Sequence, residues 1–143
     1  MQTIDADLIR DFVIAGHGNL AAVQEMLAET PGLLEMAHEW APGDTETAVQ
    51  AASHVGNRDI AIYVLDRGAR NAIYTAAMLG DREAVAAILA ADPDAIDQRG
   101  AHSISLLAHS VFSGDVELVQ TLIGRGATEG SSLALANSAS RGD

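Results

Sequence analysis

The chain contains no cysteine, which excludes disulfides, thiolate nucleophiles and cysteine-bound zinc together. Aromatic residues make up only 3%, so a core has to be assembled from Ala, Leu, Val and Ile, a composition suited to closely spaced helices. Basic residues are few, 8 against 20 acidic ones, and the net charge is −12. That sign repels phosphate backbones and anionic bilayer surfaces, so neither nucleic acid nor membrane is expected as a partner. No apolar run is long enough to span a bilayer, and Met1-Gln2-Thr3-Ile4-Asp5 lacks a basic segment followed by an apolar one. The expected compartment is the cytoplasm. With 143 residues, 48% of them apolar, the chain reads as one domain that buries roughly two-thirds of its unfolded surface.

What is present is a repeat. Gly-Asp/Asn is followed by an apolar residue five positions past the glycine and by two more at eight and nine. The copies are Gly18-Asn19 with Val23, Met26 and Leu27, Gly56-Asn57 with Ala61, Val64 and Leu65, Gly80-Asp81 with Val85, Ile88 and Leu89, and Gly114-Asp115 with Val119, Leu122 and Ile123. A fifth copy starts at Gly142-Asp143. Each glycine lies where one helix must stop and the next begin. Glycine accepts the left-handed conformation that ends a helix, and the following Asn or Asp can cap the next one. Glu83 and Glu117 fall in a first turn, where the helix dipole favours negative charge. Small residues, Ala52-Ser53, Ala76-Ala77, Ser110-Val111 and Ser138-Ala139, stand four and three positions before the glycines and allow close stacking. No strand is predicted anywhere.

This pattern resembles the ankyrin repeat. The family's first-helix signature, Thr-Pro-Leu-His-x-Ala, is approximated by Thr47-Ala48-Val49-Gln50-Ala51-Ala52 and by Ser105-Leu106-Leu107-Ala108-His109-Ser110. Its Gly-Ala ending stands at Gly68-Ala69 and Gly126-Ala127. The signature Pro and His are missing, so the copies are degenerate. The resemblance extends from about Leu8 onward and rests on repetition in register. It implies an all-α, ankyrin-like solenoid with hairpins at about 5–28, 46–67, 71–91 and 104–126 and a half-hairpin at 131–143.

Successive repeat glycines are 38, 24, 34 and 28 residues apart. The long spacings contain Thr30-Pro31 and Asp92-Pro93, and the short ones contain Arg67-Gly68-Ala69 and Arg125-Gly126-Ala127. A duplicated unit of about 60 residues, holding two hairpins, accounts for the alternation. Only the stretches 28–46 and 90–103 are long enough to project, and they should flank a short, flattened middle.

Signals for chemistry are weak. His17, His54 and His109 precede their glycines by one, two and five positions, as ordinary helix-end or surface histidines would. No His-x₃-His pair or His-Glu-x-x-His motif occurs, so no metal and no cofactor are expected. The serines form no nucleophile elbow, and the Gly-rich stretches lack the Lys-Ser/Thr of a phosphate loop. Glu35, Glu39, Asp44 and Glu46 could pair as carboxylates, but a solvated loop explains them equally well. The segment His38-Glu39-Trp40-Ala41-Pro42-Gly43-Asp44 holds the one tryptophan, an anchor type enriched in binding hot spots. Tyr74 and Phe12 occupy the signature-histidine position in their hairpins, and both are expected to pack, with the Tyr74 hydroxyl reaching a neighbouring loop.

The resemblance therefore implies a non-catalytic scaffold that binds a protein or peptide, a basic one given the acidic first loop. The expected face is formed by the two long loops and the first helices, with Glu39, Trp40, Asp44, Gln50, His54, Tyr74, Met78, His102 and His109. The half-hairpin is a candidate for pairing with a second copy. An alternative is a small-ligand pocket or an active site around Glu39, Trp40, Glu46, His54, Tyr74 and His102.

Overall fold

A computed structural model describes residues 4–128; the expected half-hairpin at 131–143 lies outside them. Among the described residues the chain is mainly helical. The helices are α1 (Ala6–Gly16), α2 (Leu20–Glu29), α3 (Ala48–His54), α4 (Arg58–Asp66), α5 (Ile73–Leu79), α6 (Arg82–Ala91), α7 (Leu106–Val111) and α8 (Val116–Gly124). Each odd-numbered helix packs on the even-numbered one after it, and α1, α3, α5 and α7 touch in chain order. None of these helices is long and apolar enough to cross a membrane.

The helix starts follow from the repeat chemistry. Asn19, Asn57, Asp81 and Asp115 are the N-caps of α2, α4, α6 and α8, accepting from the backbone N–H of Ala22, Ile60, Ala84 and Leu118. Gly56, Gly80 and Gly114 have φ of 73°, 73° and 71°, the left-handed turn that lets Asn57 and Asp81 N–H reach back to Ala52 and Ala76 carbonyls. Gly18 departs from this expectation and does not adopt positive φ. There α1 ends at Gly16, and the turn closes through His17 N–H to Ile14 O and Gly18 N–H to Ala15 O, so no left-handed residue is needed.

Burial reveals the two-hairpin period. In α2 and α6 the buried residues are five and nine past the glycine, namely Val23 and Leu27, and Val85 and Leu89. In α4 and α8 the inward register includes four and eight past it, namely Ile60 and Val64, and Leu118 and Leu122. Ile123, expected on the apolar stripe, is consequently 55% exposed. The buried side chains form two clusters. One contains Phe12, Val23, Leu33, Val49, Ile60 and Met78, and the other Ile73, Val85, Leu89, Leu106, Leu118 and Leu122. Full burial of each larger side chain contributes about 1.5–3 kcal/mol.

The absence of strands is corrected by the first long loop. After a 3₁₀ turn at Pro31–Leu33, strands β1 (His38–Ala41) and β2 (Asp44–Glu46) pair antiparallel, with an irregularity between Glu39 and Ala41. Gly43, at φ +81°, supplies the left-handed residue of the Pro42-Gly43 turn. Alternation along β2 leaves Thr45 exposed and buries Glu46.

The second long loop has 3₁₀ turns at Pro93–Asp97 and Ala101–Ser103. The two loops do not stand apart on either side of the middle: β2 packs on the Ala101–Ser103 turn. The chain between Gly68 and Ala72 is too short to hold them apart.

Candidate functional site

The loops meet around Glu46, whose side chain is fully buried. Three elements aim nitrogen atoms at its carboxylate. His54, the last residue of α3, donates from Nε2 to Oε2 at 2.6 Å. His17, at the end of α1, places Nε2 3.3 Å from the same oxygen and 3.3 Å from His54 Nε2. Trp40 of β1 donates its indole N–H to Oε1 at 2.7 Å. From the second loop, His102 Nε2 stands 3.7 Å from Oε1.

Outer contacts fix these rings. His17 Nδ1 donates to the Val13 carbonyl at 3.0 Å, which turns its Nε2 inward. His102 Nδ1 donates to Asp44 Oδ2 at 2.7 Å, and its backbone N–H donates to Oδ1 at 3.2 Å. His102 and Ser103 have φ of 59° and 58°, a left-handed pair that costs roughly 1–2 kcal/mol per residue. The Asp44 clamp is one contact that holds this strained turn in place.

Burial alone would push the Glu46 pKa up. Hydrogen bonds from His54 and Trp40 and the charges of His17 and His54 outweigh it, and the carboxyl lies below its ordinary value. Glu46 is thus an ionised carboxylate in a closed setting, and the solvated-loop reading does not hold for it. Glu35 and Glu39 are exposed as that reading expects.

The expected site residues divide into three groups. Trp40, Asp44, His54 and His102 converge with Glu46. Glu39 is exposed on β1, outside the cluster. Gln50, Tyr74, Met78 and His109 belong to the packing beneath. Gln50 completes the capping box of α3 with Thr47 and donates from Nε2 to the Tyr74 hydroxyl at 2.9 Å. The Tyr74 hydroxyl therefore bonds to a helix residue, not to the neighbouring loop. Met78 and His109 are fully buried and Tyr74 nearly so, which corrects their place on a partner-facing surface. The cause is their position on α5 and α7, which pack against each other.

His109 donates from Nδ1 to the Ser105 carbonyl at 2.7 Å, its ring lies tilted at 5.2 Å from that of Tyr74, and among the described residues its buried Nε2 has no partner. Burial holds its pKa below the ordinary value, only partly offset by that hydrogen bond. Glu46 stood among the residues of the alternative pocket, and the residue that linear reading left out of both sets is His17. Its signal was present only as a histidine beside a repeat glycine. A comparison of the chain with protein-family models gives no match, and neither does one with curated proteins.

Proposed function

We propose that the four helix pairs form an ankyrin-like solenoid and that the protein is a non-catalytic scaffold for a protein or peptide partner. The observation that carries this reading is the convergence of both long loops on the side of α3. There they surround an open, largely polar depression that includes Pro42, Asp44, Gln50, Arg99 and His102. Trp40, 39% exposed, stands on β1, the strand paired with the β2 residues Asp44 and Thr45 that line it, its indole N–H already satisfied and its ring in T-shaped contact with His38. An oriented tryptophan loses little side-chain freedom on binding, which suits an anchor. Glu39 and the net charge of −12 favour a basic partner whose association slows with salt. Repeat stacks use such a row of loops and first helices as their binding edge, while second helices form the back.

The test is selection of ligands for the immobilised full chain from a displayed library of basic peptides. Trp40→Phe and Trp40→Ala are then compared with Gln24→Ala on the back of α2. Trp40→Ala is expected to weaken binding by roughly 2 kcal/mol, with Gln24→Ala neutral. Binding that survives the loss of Trp40 but fails with Gln24→Ala, or a library that yields no ligand, overturns the reading.

A further inference from the structure

The cluster beneath the loops has the make-up of a metal centre rather than of a simple buried ion pair. We propose that His17, Glu46 and His54 bind a divalent transition-metal ion of zinc's class, with His102 as the fourth donor. This goes beyond the scaffold reading and does not depend on it.

Donor atoms from the three residues lie within 4.8 Å of one another. Zinc bonds to imidazole nitrogen are about 2.0–2.1 Å, and a tetrahedron on such bonds has edges of roughly 3.3 Å. Two edges of the triangle match: His17 Nε2 to His54 Nε2 at 3.3 Å and His17 Nε2 to Glu46 Oε2 at 3.3 Å. The third, His54 Nε2 to Glu46 Oε2, is 2.6 Å, a hydrogen bond that opens when an ion replaces the shared proton.

Ligands of a metal are normally oriented by hydrogen bonds at their outer atoms. Here Val13 O holds His17 by Nδ1, Trp40 holds Glu46 by Oε1, and Asp44 holds His102 by Nδ1. In each case the atom turned to the centre is the one a metal would use. His102 stands just outside this triangle, with its ring 5.2 Å from that of His54 and its Nε2 3.7 Å from Glu46 Oε1, and a small inward shift would make it the fourth donor. The strained backbone at His102 and Ser103 supports the same placement, because strain of this kind concentrates at functional sites. Imidazole nitrogen with a single carboxylate selects zinc and its neighbours over Mg²⁺ or Ca²⁺, which require oxygen.

The full-length chain, stripped with a chelator and dialysed, is titrated with Zn²⁺ in a calorimeter, with Mg²⁺ as control. One Zn²⁺ per chain is expected, bound at micromolar strength or tighter, with a rise in Tm. His17→Gln should weaken binding by at least about 100-fold, and Asp44→Asn, an outer contact, by about 10-fold. His38→Ala should leave it unchanged. In the wild-type chain, ring-nitrogen NMR shifts on adding Zn²⁺ should fall on His17, His54 and His102, a readout that needs no variant to fold. Absence of saturable binding, or shifts that fall on His38 or His109 instead, overturns the site. Shifts on His17 and His54 without His102 overturn its place as fourth donor.

Discussion

The two halves of the chain are built on one plan and diverge at the positions where the first half collects its polar cluster. His17 directly precedes Gly18, and Leu79 directly precedes Gly80. His54 stands two before Gly56, and Phe112 two before Gly114. Glu46 precedes the N-cap Thr47 of α3, as Ile104 precedes the N-cap Ser105 of α7. The second half closes the same helix pairs with Leu, Ile and Phe, so the scaffold itself does not require a buried carboxylate or its histidines. Phe112 even covers the first half, lying where a side chain at Gly56 would meet its ring at 2.5 Å. The comparison teaches that helix pairs of this kind close without such a cluster, whose polar make-up belongs to the first half alone.

The sharpest way to break this comparison is at Glu46. Glu46→Ala leaves the half-buried donors of His54 and Trp40 without their acceptor, and should cost about 3 kcal/mol in urea denaturation. Ile104→Ala, at the matching position, should cost about 1 kcal/mol. Equal losses would show that the two positions do the same work. Copying the second half outright, with His17→Leu, Glu46→Ile and His54→Phe together, should leave the fold at least as stable as the wild type. Apolar replacement of a buried ionic group is often neutral or stabilising; a chain that fails to fold would refute this.

The glycines sharpen the comparison at smaller amplitude. Gly80 is left-handed, so Gly80→Ala should destabilise by about 1 kcal/mol or more. Gly18 is not left-handed, and a Cβ there meets nothing within 4 Å, so Gly18→Ala should be neutral or stabilise by up to about 0.5–1 kcal/mol.

His109 gives the second half a pH dependence that Ala51, its counterpart, cannot supply. Its folded pKa lies below the ordinary value of 6.5, so the unfolded chain binds the extra proton first. Its contribution is complete above pH 6.5 and is lost as pH falls from there toward the folded pKa. Tyr74, and the charge of His54, are the titratable groups acting on it. His109→Leu should flatten the fall in Tm over that interval; an unchanged slope would assign it to other groups. The smallest effect is expected from Arg82→Leu, which copies Leu20 of the first half. Arg82 grips Asp115 with two bonds of 2.6 Å and reaches Glu117, but it is exposed, so the loss should be slight and vanish in high salt.

The mainly helical character was legible because caps and stripes are local. Asn57 and Asp81 sit where a cap must sit, and Val85 with Leu89 reads as one helical face from spacing alone. The hairpin at 38–46 was not legible, since β2 has three residues, too few to display a period of two, and its inward residue is a carboxylate. The cluster escaped for a related reason. His17, Glu46 and His54 come from three elements at irregular spacing, so no ligand motif exists along the chain. Trp40 and His102 were readable as candidates because their loops were conspicuous. Met78 and His109 misled because the stacking of α5 and α7, which buries both, is a tertiary fact.

Asp44 and His102 are 58 positions apart in the chain, and they meet because residues 68–72 pass almost directly from α4 into α5. In a row of helix pairs each unit leans on its neighbours, and the ends can fray while the rest stays folded. A bond from the loop before α3 to the loop before α7 works against that independence, tying the second unit to the fourth across the third. Release of either loop removes support from the other, so the units should come apart together. The same tie closes a long loop during folding, which adds an entropic cost to the barrier and slows assembly relative to an untied row of equal length.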